Sequence, residues 1–233
     1  MQKPSRNRRP RQLGLALPNT WGGARKNAGR KPVVPGRVPH VTREALASRF
    51  PVHVTLKLDQ ALPSLRSPGL CRIAEGSLRV VKRRGRLRVV HYSLQKRHVH
   101  LVVEASDAKA LSNGVMGLSI SLAKRLNKSL GRSGRVFEDR YFARILRTPR
   151  QTRNCLCYVI NNCRRHDAQR RRTRPEGWID PCSSGDSFDG WRDVEVVAVA
   201  GRDPPVSEAH GWLLKVGWRR HGLISVDEVP GEV

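Results

Sequence analysis

Apolar and polar positions begin to alternate regularly at residue 52. Val52, Val54, Leu56 and Leu58 are separated by His53, Thr55 and Lys57, the two-residue period of a half-buried strand over 52–58. Pro63 and Pro68 interrupt the pattern, after which Leu70, Ile73, Leu78 and Val81 form a helical stripe over 69–83 that Gly85 stops. Two further strands follow over 87–95 and 98–105. Only Lys96-Arg97 lies between them, which predicts a tight hairpin. Leu111, Val115, Leu118, Leu122 and Leu126 define a long amphipathic helix over 107–130, with Gly131 after it. Residues 140–147 read as a fourth strand, and Pro149, with Thr148 as cap, opens a helix extending to about 167.

The predicted order is β-α-β-β-α-β followed by one more helix. That is an α+β, ferredoxin-like arrangement, a four-stranded antiparallel sheet with two helices on one face and an added C-terminal helix. Three regions are expected. Residues 1–45 are rich in Arg, Lys, Pro and Gly, with Trp21 as nearly the sole large apolar anchor. Such a segment buries too little surface to offset its ordering entropy, so it reads as a disordered basic arm. Residues 46–168 hold the folded domain. Residues 169–233 begin with a basic linker, QRRRTR, and continue into a small appendage around Trp178, Trp191, Trp212 and Trp218 that should pack on the core.

Charge sharpens the picture. Lys and Arg number 45 against 19 Asp and Glu, a formal net charge of +26. A chain that far from neutrality opposes its own compaction unless a polyanion compensates, and nucleic acid is the usual one. No stretch approaches the roughly 18 apolar residues of a membrane span, and the N-terminus has no apolar signal segment, so a cytoplasmic protein with no membrane partner is expected. The five cysteines are too few and too irregular for a secreted disulfide framework. Aromatic residues make up only 5%, and the strands lack the stacking phenylalanines of an RNA-recognition module.

Candidate chemistry lies in two places. His98 and His100 flank Val99 in the third strand, so both imidazoles project from one face as a pair of potential metal ligands. Tyr158 and Asn162 are four apart in the last predicted helix and share one of its faces. Neither Tyr92 nor Tyr141 has an amide four residues on, and Tyr141, beside Arg140, Arg144 and Arg147, ranks second as a nucleophile. Arg140, Arg144, Arg147, Arg150, Arg164 and Arg165 are the candidate DNA contacts. Cys155, Cys157, Cys163 and His166 do not converge on one helix face, which disfavours zinc. Ser183, Ser184 and His210 read as loop and surface.

Taken in order, HVHLVVE (98–104), GRVFEDRYFARIL (134–146) and RTPRQTRNCLCYVINN (147–162) resemble the HUH single-tyrosine transposases, in particular the REP-associated tyrosine transposase branch of the insertion-sequence family. The resemblance spans about 50–166. It implies that His98, His100 and Asn162 bind Mg2+ or Mn2+, and that Tyr158 is the nucleophile. The activity it implies is nicking and rejoining of single-stranded or hairpin DNA through a covalent 5′-phosphotyrosine, with Tyr158 on the added helix. It also implies either a monomer or a homodimer. Arg97 stands where the family often has Asn before the first histidine, and Cys163 where proline is frequent. The alternative is a non-catalytic, domesticated nucleic-acid-binding protein of the same fold. A replication or relaxase initiator is disfavoured, because the chain is short and has no helicase motif.

Overall fold

Six residues of strong alternation form the strand β1 (Val52–Lys57), and the elements that follow in a computed structural model arrange themselves around it. The structure describes residues 44–85, 87–196 and 203–231. Nearly all of the predicted basic arm, 1–45, lies outside the described residues.

Helix α1 (Pro68–Arg84) starts with proline in its first turn, where a missing N–H costs nothing, and ends on Gly85 at φ 66°. Strands β2 (Arg88–Leu94) and β3 (His98–Glu104) form the expected hairpin. Helix α2 (Ala108–Ser129) is capped by Asp107, whose side chain accepts the Ala110 N–H at 2.8 Å. Strand β4 (Phe142–Ile145) is shorter than the predicted 140–147 because turn chemistry claims both ends. The Asp139 carboxylate accepts the Arg140 N–H, and the Gln151 side chain accepts the Arg147 N–H.

The sheet order is β2-β3-β1-β4, with every neighbouring pair antiparallel. This is the ferredoxin-like α+β arrangement. Its two faces differ in chemistry. Val52, Val54, Leu56, Val99, Leu101 and Val103 point toward α1 and α2 and build the larger core. The opposite parity carries His53, Thr55, His100, Val102 and, on β4, Phe142 and Arg144.

Helix α3 (Pro149–Ile160) packs on the β2 and β3 part of this second face, capped by the Thr148 hydroxyl, which accepts the Gln151 N–H. The helix predicted to run to about 167 instead breaks at Asn161 (φ −99°, ψ 16°), and α4 (Asn162–Gln169) continues beyond it. A tertiary contact accounts for the break. The buried Asn161 amide donates to the carbonyls of Ser225 and Glu228 at 2.9 and 3.0 Å, pinning the C-terminal segment at this point.

The C-terminal residues add a second apolar cluster. Phe188, Trp191, Trp218, Ile224 and Val226 pack with Cys155, Leu156, Val159 and Ile160 of α3. Both buried indoles find partners, Trp191 donating to the Gly185 carbonyl and Trp218 to the Leu214 carbonyl. A bidentate pair between Arg66 and Asp180, both bonds 2.8 Å, ties the approach to α1 to this layer. Ser183 and Ser184 are not the surface loop expected from sequence. Both are buried, and the Ser184 hydroxyl accepts the Tyr92 N–H and lies 3.2 Å from His91 Nδ1.

Candidate active site

Strand register decides what meets on the second face. Thr55 pairs with His100 across β1 and β3, and Lys57 pairs with His98. The Thr55 hydroxyl sits 3.3 Å from His100 Nδ1, engaging that nitrogen and leaving Nε2 as the ring's other donor atom. The His98 and His100 rings lie with centroids 6.0 Å apart and nearly parallel at 29°. Alternation along a rigid strand produces this presentation, and β3 is held on both sides by neighbouring strands.

Tyr158 approaches from α3. Its ring meets His100 edge-on, with centroids 5.3 Å apart at 90°. The Arg165 guanidinium lies 5.6 Å from the centroid of the tyrosine ring. Asn162, at the start of α4, is buried, and its Oδ1 has no hydrogen-bond partner. A buried amide oxygen without a donor carries a desolvation cost that a cation or donor would relieve.

His53 completes the cluster, and sequence reasoning passed over it. It stacks on His100 at 5.6 Å and meets Tyr158 edge-on at 5.7 Å, while its buried Nε2 is unpartnered. The available signal was its parity: His53 occupies the polar phase of β1 together with Thr55. His166 was set aside with the cysteines, yet it lies close enough to oppose protonation of both His98 and His100.

The electrostatics keep these imidazoles neutral. Burial first, and then the nearby His53, His98 and His166, bring His100 down to about 3. Burial and Arg144 bring His53 down to about 4. His98 is lowered by burial and by Lys57 and Arg97. A neutral imidazole is the form that ligates a metal. Among the described residues no group of three His, Cys, Asp or Glu is arranged to hold a metal ion, so a metal on His98 and His100 would need a further ligand of another type, the role expected of the Asn162 amide. Two neutral imidazoles and an unpartnered amide oxygen fit a divalent ion accepting mixed nitrogen and oxygen donors, and suit Mn2+ better than the oxygen-seeking Mg2+.

The chain has three tyrosines, and only Tyr158 faces the histidines. Tyr92 is buried on the α1/α2 side, its hydroxyl donating to Glu75 at 3.1 Å. Tyr141 packs against that same core. The arginines divide similarly. Arg144 shares the histidine face, and Arg165 borders Tyr158. Arg150 is exposed in the first turn of α3, and Arg140 follows the Asp139 turn before β4. Arg147 pairs with Glu44. Arg164 is engaged internally, with Asp227 at 2.6 Å and the Trp178 carbonyl at 3.0 Å. Cys155 and Cys157 are core side chains; burial pushes the Cys155 thiol up to about 12 and raises Cys157 as well.

No protein-family model matches the chain, and no curated protein matches its sequence. Solved structures do. A REP-associated tyrosine transposase bound to a REP hairpin aligns over 63% of this chain and 82% of its own, with a TM-score of 0.47 and 13% identity. A Deinococcus radiodurans R1 protein described as a transposase aligns over 48% of this chain and 86% of its own, with a TM-score of 0.36 and 14% identity. No helix among the described residues is long and apolar enough to cross a membrane.

Proposed function

We propose that the protein is a metal-dependent, single-tyrosine DNA transposase that nicks and rejoins single-stranded or hairpin DNA. The observation that carries this reading is the approach of the Tyr158 ring to His100, 5.3 Å and edge-on, on the sheet face that also carries His98. The sequence pattern HVHLVVE followed by YVINN supports it independently.

In this mechanism Tyr158 Oη attacks the phosphorus of a DNA phosphodiester. The phenolic proton leaves to solvent, the bond from phosphorus to the 3′ oxygen breaks, and that oxygen takes up a proton. The products are a 5′-phosphotyrosine and a free 3′-OH, and attack by a different 3′-OH reverses the chemistry to join a new pair of ends. His98 and His100 present neutral nitrogens, Thr55 orients the His100 ring, and Asn162 offers its amide oxygen. Mg2+ or Mn2+ held there would offset the charge that develops on the phosphate oxygens. Arg144 and Arg165 would hold flanking phosphates.

The test is a denaturing gel with labelled hairpin oligonucleotides from the DNA bordering the gene, incubated with Mn2+. A protease-sensitive adduct should form with the wild type and vanish both in Tyr158→Phe and in EDTA. An adduct that persists in Tyr158→Phe would move the nucleophile to another residue. DNA binding with no adduct at all would favour the non-catalytic alternative.

A further inference from the structure

Phe142 is the exposed aromatic on the histidine face. It is 51% exposed on the edge strand β4, whereas Tyr158, the other aromatic ring facing the histidines, is half-buried. Register puts it in a row. Thr55 is the cross-strand partner of both His100 and Phe142, so the three residues lie side by side across β3, β1 and β4 with their side chains on one face. Two strand spacings separate Phe142 from His100, roughly 10 Å. Arg144, two residues on, shares this face and lies near enough to His53 to oppose its protonation.

We propose that Phe142 is a stacking platform for one unpaired nucleobase beside the scissile phosphate, with Arg144 holding an adjacent phosphate. The inference rests on single-stranded DNA being the substrate of the neighbouring site. Its neighbours explain why a base is the occupant. Its neighbours on this face of β1 and β4 are polar: Thr55 directly opposite, Arg144 two residues on, and His53 diagonally across, a setting unlike the apolar patch that a protein partner would cover. A flat ring beside a guanidinium is the combination that binds single strands without reading sequence, because every base has a π-face and every nucleotide a phosphate. The chain's formal charge of +26 supplies the general attraction, and the ring adds a preference for unpaired over paired strands. In a duplex both faces of each base are already stacked, so Phe142 has nothing to accept there.

The experiment uses the full chain carrying Tyr158→Phe, in EDTA, so that binding is read without chemistry. Hairpin oligonucleotides with single-stranded flanks from the DNA bordering the gene carry 2-aminopurine at successive flank positions. Fluorescence should be quenched at one or two adjacent positions. Adding Phe142→Ala should abolish that quench and weaken single-strand binding roughly tenfold, the loss of one base–aromatic stack, with duplex binding unchanged. Phe142→Trp should restore both. The side chain is exposed, and an unaltered circular dichroism spectrum establishes that the alanine variant is folded.

Three results would overturn the subsite: a quench indifferent to Phe142→Ala, an equal loss of duplex affinity, or self-association that disappears in Phe142→Ala while oligonucleotide binding persists. The last would make the ring a contact between copies of the chain. The outcome is separable from that of the catalytic reading. Adducts in the wild type together with an indifferent quench would remove the subsite alone. A Phe142-dependent quench with no adduct under any metal would keep the subsite and remove the nuclease.

Discussion

Acidification should unfold this protein earlier than its carboxylates alone would dictate. His53, His91 and His100 are buried and neutral, brought down to about 4, about 4 and about 3, chiefly by burial. An imidazole in the unfolded chain titrates near 6.5. As pH falls, the unfolded chain therefore takes up protons before the folded one. The stabilisation is complete above about pH 6.5 and is lost progressively as pH falls toward the folded values. At about pH 5 each ring costs roughly 2 kcal/mol, or about 6 kcal/mol for three, against the ~5–15 kcal/mol that holds a typical domain together. Urea midpoints followed by circular dichroism in EDTA, from pH 7 to pH 5, should fall steeply. His91→Asn isolates the effect, since His91 lies apart from the tyrosine and contacts Ser184 and Phe188 instead. That variant should lose about one third of the slope. A midpoint that stays flat over this range, or a slope unchanged in His91→Asn, would mean that these buried imidazoles do not drive the acid sensitivity.

Two stability predictions follow from the C-terminal layer. Asp180→Asn keeps the shape of the side chain but leaves the Arg66 guanidinium without its charge partner, at a cost of about 3 kcal/mol. Calorimetry should show a fall in Tm of about 6–12 °C, and an unchanged Tm would mean that the pair contributes nothing net. Gly190 has no room for a side chain, because a Cβ there would stand 2.2 Å from Trp218 and 2.6 Å from Phe188. Gly190→Ala should therefore cost about 1–3 kcal/mol in urea unfolding and alter the near-ultraviolet signal of Trp218; wild-type behaviour in both would contradict the packing described.

Much of the architecture was legible along the chain because it depends on local period. The alternation of β1, the stripe of α2 and the Thr148-Pro149 helix start each signal an element through residues that are neighbours in sequence. The pairing of His98 with His100 followed from the same period, but the single helix expected to carry both Tyr158 and Asn162 did not form: Tyr158 lies in α3 and Asn162 opens α4 beyond the break. Where expectation and structure diverged, a distant segment intervened. The last helix breaks at Asn161 because residues 225–228, far along the chain, take up its amide. The serines at 183 and 184 are buried because β2 passes over them.

Composition and periodicity are properties of the chain alone, and they sufficed for the order of the elements, the chain's strongly basic charge and a first set of candidate ligands and nucleophiles that left out His53. Only the tertiary structure decided which of those residues meet. His53 lies beside His100 because β1 pairs with β3 in one register, and a slip of one residue would turn it to the other face. The same register sets Thr55 against His100 Nδ1 and lines up Phe142 with both. Register is fixed by burial of the opposite, apolar face beneath α1 and α2, a long-range balance that no short window of sequence contains.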